Sequence, residues 1–370
     1  MRICTDICGI FMAIELLKWP EGKIPFIIRD DDVSFFTSNK MLQSLYEHAW
    51  SKGYVVSFSI IPLIKGNILS SKDLKEPLSH IKYEPCVPPS ARGDVKQYTI
   101  QDNLELVSFL LKQKENGFCD MTLHGLSHER SEFLSMQNLV ERRLGEALTI
   151  FARTFHFQPN VFVFPYDKSS QVAIQILRKE KLSFCKMPPF INRVFAKARI
   201  ARFPSFRFSH NIIEFYHSLG VFSPFLDHHK KGARFEIAKD EFLKRYNQND
   251  LFCLAHHYWE FFFDWKQHIT QKDMLKVLNE FLDYVEGFNI WKCGFNEVSE
   301  WLLAFNSILA RKVEKNRMIL KTKLPIKNLS FSCTGVCKVQ GLESEAVNSQ
   351  GEIWTIKNVP ADVSFEVKNA

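Results

Sequence analysis

The stretch Ile27-Ile28-Arg29-Asp30-Asp31-Asp32-Val33 decides how this chain is read. With Pro25-Phe26 ahead of them, the two isoleucines predict a short buried strand, and three acids stand at its end. Adjacent carboxylates repel one another and are costly to take out of water, so burial alone gives no reason to gather them. A wet acidic turn would carry them harmlessly. A divalent cation would give them a task, and its partners follow in Met121-Thr122-Leu123-His124-Gly125-Leu126-Ser127-His128-Glu129. His124 and His128 could hold one cation with an Asp as third ligand; mixed nitrogen and oxygen donors suit Zn²⁺ first, and also Co²⁺, Mn²⁺ or Ni²⁺.

Outward from the acids, residues 39–53 have helical spacing and stop at Gly53, and residues 54–61 form a second strand closed by Pro62. Strand, helix, strand is a βαβ unit, which implies parallel pairing. The alternation continues with helices over 104–116, 138–155, 170–180, 272–287 and 296–306. Further strands are expected over 118–123, 161–164, 182–185, 251–255 and 288–292. Each candidate cluster follows a strand: the acids, His124/His128, Tyr166-Asp167 and His256/His257. In a parallel α/β sheet or barrel those ends share one face, where sites are built. Residues 65–99 and 187–235 are expected to be irregular, and a loop as long as the first is usually functional or mobile. From residue 311 short alternating runs replace the helices and predict a small antiparallel β module. The expected division is a 1–22 extension, a 23–310 α/β domain and a 311–370 β module.

Bulk properties narrow the function. The chain has 370 residues and a net charge of +7, with no basic motif interleaved with aromatic residues, so nucleic acid is not an expected partner. No run of about 18 apolar residues predicts a membrane span. Residues 7–17 are apolar but broken by Glu15, without a charged leader or small-residue cleavage site, so no signal peptide is expected; Met12 is an alternative start. The odd count of nine cysteines, with isolated C-x3-C pairs at Cys4/Cys8 and Cys333/Cys337, suggests free thiols and a cytoplasmic protein. The 34 phenylalanines suggest an aromatic core or a ring-lined cleft for sugar stacking. Nothing in the sequence marks the oligomeric state.

The order of acidic pair, H-x3-H, Pro165-Tyr166 after a strand and a late strand ending in His resembles the polysaccharide deacetylase (NodB-homology) superfamily, carbohydrate esterase family 4 and its divergent cytoplasmic relatives. The resemblance covers roughly residues 23–305. It implies a distorted, incomplete (β/α) barrel and metal-dependent removal of acyl groups from sugars. By the same resemblance, Asp30 corresponds to the general base, Asp31, His124 and His128 to the metal ligands, Tyr166 to the residue whose backbone N–H faces the oxyanion, and His256 to the general acid. Two departures keep alternatives open. Asp32 stands where the family has Gly, which admits the frame Asp31/Asp32, and His257 is an alternative to His256. The arginine expected before Pro-Tyr is missing, with Arg29 or Arg202 as substitutes.

The expected activity is deacetylation of a sugar, as a precursor in surface polysaccharide synthesis. A carbohydrate-binding or scaffolding protein without catalysis is the alternative. A glycoside hydrolase would use Asp30–Asp32 with Asp167 or Glu260 but would leave the histidine pair unexplained.

Overall fold

The computed structural model describes residues 14–69, 83–186, 204–209, 211–216, 235–262, 271–314, 317–333, 335–343 and 346–369. Arg202, Cys4, Cys8 and Met12 lie outside these. The chain folds into two compact units, one of residues Pro25–Ser299 and one of Met1–Ile24 with Glu300–Ala370.

The larger unit is built on a nine-stranded sheet in the order β11-β2-β3-β6-β7-β8-β10-β9, with β12 also pairing with β2. The strands are β2 (Ile24–Val33), β3 (Val56–Ile60), β6 (Cys119–Leu123), β7 (Val161–Val163), β8 (Ser183–Lys186), β9 (Phe206–Ser209), β10 (Ile212–Tyr216), β11 (Phe252–His257) and β12 (Ile290–Lys292). From β11 through β10 every neighbour is parallel, and only β9 runs against β10. Among the described residues β11 and β9 do not pair, so the sheet is an open parallel one rather than a closed barrel.

Helices α1 (Asn39–Ser51), α2 (Leu104–Glu115), α3 (Gln137–Phe155), α4 (Gln171–Lys179), α5 (Phe235–Asn247), α6 (Gln271–Val285) and α7 (Phe295–Asn306) accompany the strands. Each strand of the parallel core is buried almost throughout, as a sheet flanked by crossover helices requires. Phenylalanines do much of the filling: Phe26, Phe242, Phe252 and Phe281 meet pairwise at centroid distances of 5.2–6.2 Å. These rings therefore serve the core rather than a sugar cleft.

Two expectations of irregular chain need correction. Region 187–235 holds β9 and β10, whose short, Phe-rich runs lie among prolines and lack a long alternation. The 65–99 loop begins after β4 (Leu63–Lys65) and ends in β5 (Gln97–Thr99), which pair antiparallel and pin its ends together.

The smaller unit contains two four-stranded antiparallel sheets, β1-β15-β18-β17 and β13-β14-β19-β16. They comprise β1 (Ile14–Leu16), β13 (Leu309–Glu314), β14 (Arg317–Lys321), β15 (Ile326–Cys333), β16 (Cys337–Gln340), β17 (Ala346–Gln350), β18 (Ile353–Val359) and β19 (Ser364–Asn369). β1 pairs with β15, Ile14 opposite Cys333 and Leu16 opposite Phe331, so this N-terminal segment is an edge strand of the β module. The seven described cysteines are buried and none forms a disulfide. No helix among the described residues is long and apolar enough to cross a membrane.

Candidate metal centre

The three acids do not share one environment, because β2 carries a bulge. Against β3, Asp30 pairs with Phe58 and Val33 with Ile60, so one extra residue is taken up at Asp31–Asp32. Asp32 adopts a left-handed φ of +67°, which Asp tolerates better than bulkier residues. Strict alternation would place Asp30 and Asp32 on one face and Asp31 on the other. The bulge instead separates Asp30 from the other two.

Asp30 points behind the site. Its carboxylate accepts the Tyr46 hydroxyl at 2.8 Å and the Tyr258 backbone N–H at 2.7 Å. Burial holds its carboxyl well above the usual range despite those bonds. Asp31, in contrast, receives Arg29 Nη2 at 2.6 Å, with both side chains nearly inaccessible. Burial alone would raise its pKa, but Arg29, then His124 and His257, bring it down to about 2. Arg29 thus stands beside an acid where the resemblance led one to expect a different arginine. Oδ1 of Asp31 has no well-directed hydrogen bond.

Asp32 completes the cluster with the two histidines. Its Oδ1 lies 3.0 Å from His128 Nε2 and 3.3 Å from His124 Nε2. One atom from each residue can be chosen so that all three lie within 4.8 Å of one another, and all three residues are buried. Asp32 Oδ2 accepts Trp259 Nε1–H at 3.0 Å. Burial opposes ionisation of Asp32, but His128 and His257 hold its pKa well below the ordinary value. The expected ligand Asp31 is therefore not the acid that faces the histidines; the frame that agrees with this geometry is Asp31 and Asp32.

The donor set fits a divalent cation. His124 Nδ1 meets the Val163 carbonyl at 2.9 Å, and a carbonyl can only accept, so Nδ1 carries the hydrogen. In the neutral ring this leaves the Nε2 lone pair facing a carboxylate oxygen, an arrangement that calls for a cation between them. For His128, burial disfavours the charged form, but Asp32 outweighs it and raises the pKa to about 9. That preference for positive charge is what a cation in the same place would satisfy.

The histidine turn is held by a residue that sequence reasoning missed. Glu132 is buried and its carboxylate accepts the backbone N–H groups of Leu126, Ser127 and Glu129. Burial raises its pKa to about 7, against the pull of those bonds. Gly125 lies at φ +73°, and a Cβ there would stand 2.7 Å from Pro165 Cγ, so the turn admits only glycine without rearrangement.

At β11 the two late histidines separate by strand alternation. His256 lies opposite Asp30 and His257 opposite Asp31 in the parallel register. His256 follows Asp30 to the back, its ring 5.9 Å from Tyr46 and 5.2 Å from Phe261; burial drives its pKa down to about 4. His257 joins the cluster, with Nε2 3.8 Å from Asp32 Oδ2 and Nδ1 3.5 Å from Glu260 Oε1, its ring stacked on Trp259 at 4.7 Å. Burial would keep it neutral, but Asp32 and Glu260 raise its pKa to about 10.

Tyr166 follows β7 at φ +53°, its ring 4.5 Å from the His128 ring. Its hydroxyl donates to Glu84 at 2.5 Å. Glu84, from the long loop, is a second acid that motif reading passed over, since only its burial beside His128 distinguishes it from neighbouring loop charges.

No family model and no curated protein matches the chain. Solved structures do. A Mycobacterium smegmatis protein assigned as a polysaccharide deacetylase is 10% identical, with 77% of this chain and 92% of that chain covered and a TM-score of 0.48. A family 4 acetyl xylan esterase from Clostridium thermocellum, in complex with a cobalt ion, is 8% identical over 74% of this chain and 89% of that one, with a TM-score of 0.41. A carbohydrate esterase family 4 pseudoenzyme from Bacillus anthracis is 8% identical over 74% and 63%, with a TM-score of 0.37. Each of these is a similarity to a solved structure at 10% identity or less.

Proposed function

We propose that this chain is a metal-dependent hydrolase that removes an acyl group, N-acetyl foremost, from a sugar or sugar conjugate. The observation that carries the reading is the buried convergence of Asp32, His124 and His128, with the Arg29-held Asp31 and His257 beside it. The sugar half of the reading rests on the order of the sequence motifs.

Asp32, His124 and His128 would hold the cation. What a divalent ion supplies when bound there is Lewis acidity towards a water molecule and the acyl oxygen. Asp31 is the proton acceptor: Arg29 fixes Oδ2 and keeps the group ionised, and Oδ1 takes the proton of the attacking water. The Tyr166 backbone N–H donates to the oxyanion that develops on the acyl group. His257, protonated at neutral pH, gives its proton to the leaving nitrogen. Asp30 and His256 support the site from behind, through Tyr46 and Tyr258.

The test is elemental analysis of the purified protein and of a His124→Ala/His128→Ala variant, followed by acetate release from N-acetylated sugars. One divalent ion per chain, lost in the variant, and acetate release abolished by Asp31→Asn are expected. Absence of metal even after addition of Zn²⁺ or Co²⁺ would overturn the hydrolase and leave a carbohydrate-binding protein as the better description. Cytoplasmic location and a place in surface polysaccharide synthesis belong to the same proposal; fractionation of cells tests the first, and loss of polysaccharide on deletion tests the second.

A further inference from the structure

The two histidines of the cluster are supported in different ways. His124 has the Val163 carbonyl on Nδ1, the usual device by which a ligand imidazole is oriented. His128 Nδ1 is buried and has no hydrogen-bond partner. Its residue also sits at a left-handed φ of +61°. Besides Asp32 at Nε2 and the His124 ring at 5.0 Å, the ring meets Tyr166 at 4.5 Å and 34° between planes. Tyr166 is fixed in turn by its hydroxyl bond of 2.5 Å to Glu84. Glu84 is 4% exposed and its backbone is tied down, with its N–H on the Ile68 carbonyl at 3.0 Å and its carbonyl receiving the Val87 N–H at 2.9 Å.

We propose that Glu84 and Tyr166 form a clamp that positions the His128 imidazole for metal binding, replacing the hydrogen bond that its Nδ1 lacks. The inference rests on the metal reading above. Glu84 is a positioning residue: it acts on the ligand through the tyrosine ring. The long loop between β4 and β5 thereby contributes to the metal centre without supplying a ligand. Glu84 is suited to this task because its carboxyl oxygen accepts a short bond from the phenol.

The experiment is competition for Co²⁺ against a chromophoric chelator, with the full chain and its variants. Glu84→Ala and Tyr166→Phe are each expected to weaken Co²⁺ binding about tenfold or more, the usual cost of losing an outer-shell partner. The double variant should be no weaker than the worse single, because both changes break one chain of contacts. Glu84→Gln, whose amide oxygen still accepts the phenol, should retain most of the affinity. Tyr166→Phe is nearly isosteric, so it carries the test should Glu84→Ala fail to fold.

Wild-type affinity in Tyr166→Phe overturns the clamp, as does full additivity of the two losses, which would mean that Glu84 acts by charge alone. A metal-free readout separates this from the function itself: the His128 ring signal in an NMR spectrum should be sharp in the wild type and broadened in both single variants. A wild type that binds no Co²⁺, with a sharp ring signal that broadens in both single variants, would remove the metal reading and keep the clamp. A ring signal indifferent to both changes would remove the clamp whatever the metal result.

Discussion

Arg29 Nη2 lies 2.6 Å from Asp31 Oδ2, two residues along the same strand, and both side chains are closed to solvent. Residues i and i+2 of a strand share a face, so the contact is the shortest-range ion pair a strand can make. Once buried, the pair is held together by the cost of leaving either charge alone.

Arg29→Met should therefore destabilise the protein by about 3–5 kcal/mol, the usual cost of stranding one member of a buried pair. Adding Asp31→Asn should recover a large part of that loss. Urea denaturation of the wild type and both variants checks these expectations; equal stability of Arg29→Met and wild type would show that the pair contributes nothing.

The same pair sets an acid limb of stability. The Asp31 pKa is lowered to about 2 in the folded chain, below its unfolded value of about 3.8–3.9. Its contribution, roughly 2 kcal/mol, is present above pH 4 and is lost as the pH falls through about 2. Asp31→Asn should flatten stability across that window in equilibrium unfolding.

Metal content distinguishes the two frames of the acidic stretch. Asp32→Asn should lower Zn²⁺ or Co²⁺ affinity by about tenfold or more, whereas Asp30→Asn should leave the metal in place. Asp31→Asn should keep the metal and lose turnover. Elemental analysis of three purified variants decides the matter, and metal lost in Asp31→Asn but kept in Asp32→Asn would return the ligand to the other frame.

Proton competition gives metal binding a direction with pH. In the metal-free protein His128 holds its proton up to about pH 9, and a cation must displace it. Affinity should rise by about tenfold per pH unit between pH 7 and 9 and level off above. Calorimetric titration across that range reads it directly; an affinity independent of pH would mean that His128 is already neutral.

His257 and His256 should part in kinetics. His257→Ala is expected to lower the acyl-transfer rate by about 10²–10⁴, the usual contribution of a positioned proton donor. His256→Asn should act mainly on stability. The rate should fall as pH rises through the His257 pKa, which lies at about 10 without metal and lower once a cation neutralises Asp32. A pH–rate profile of wild type and both variants tests this.

Much of this was legible from residue order. The β-strand and helix periods marked the parallel α/β core, and the strand-end positions of the acids, His124/His128, Tyr166 and His256/His257 marked one face. The resemblance suggested roles but left the frame open. Choosing between Asp30/Asp31 and Asp31/Asp32, and between His256 and His257, needed the bulge in β2 and the parallel register with β11.

What the sequence by itself determined was therefore local: which segments alternate, where they end and which side chains stand there. What only the tertiary structure decided was which way those side chains turn. One added residue at Asp31–Asp32 reverses strand alternation, and no residue type announces it. Register then sends His256 with Asp30 and His257 with Asp31. The partners from distant segments, Glu84 on Tyr166 and Trp259 on Asp32, become visible only once the chain has brought those segments together.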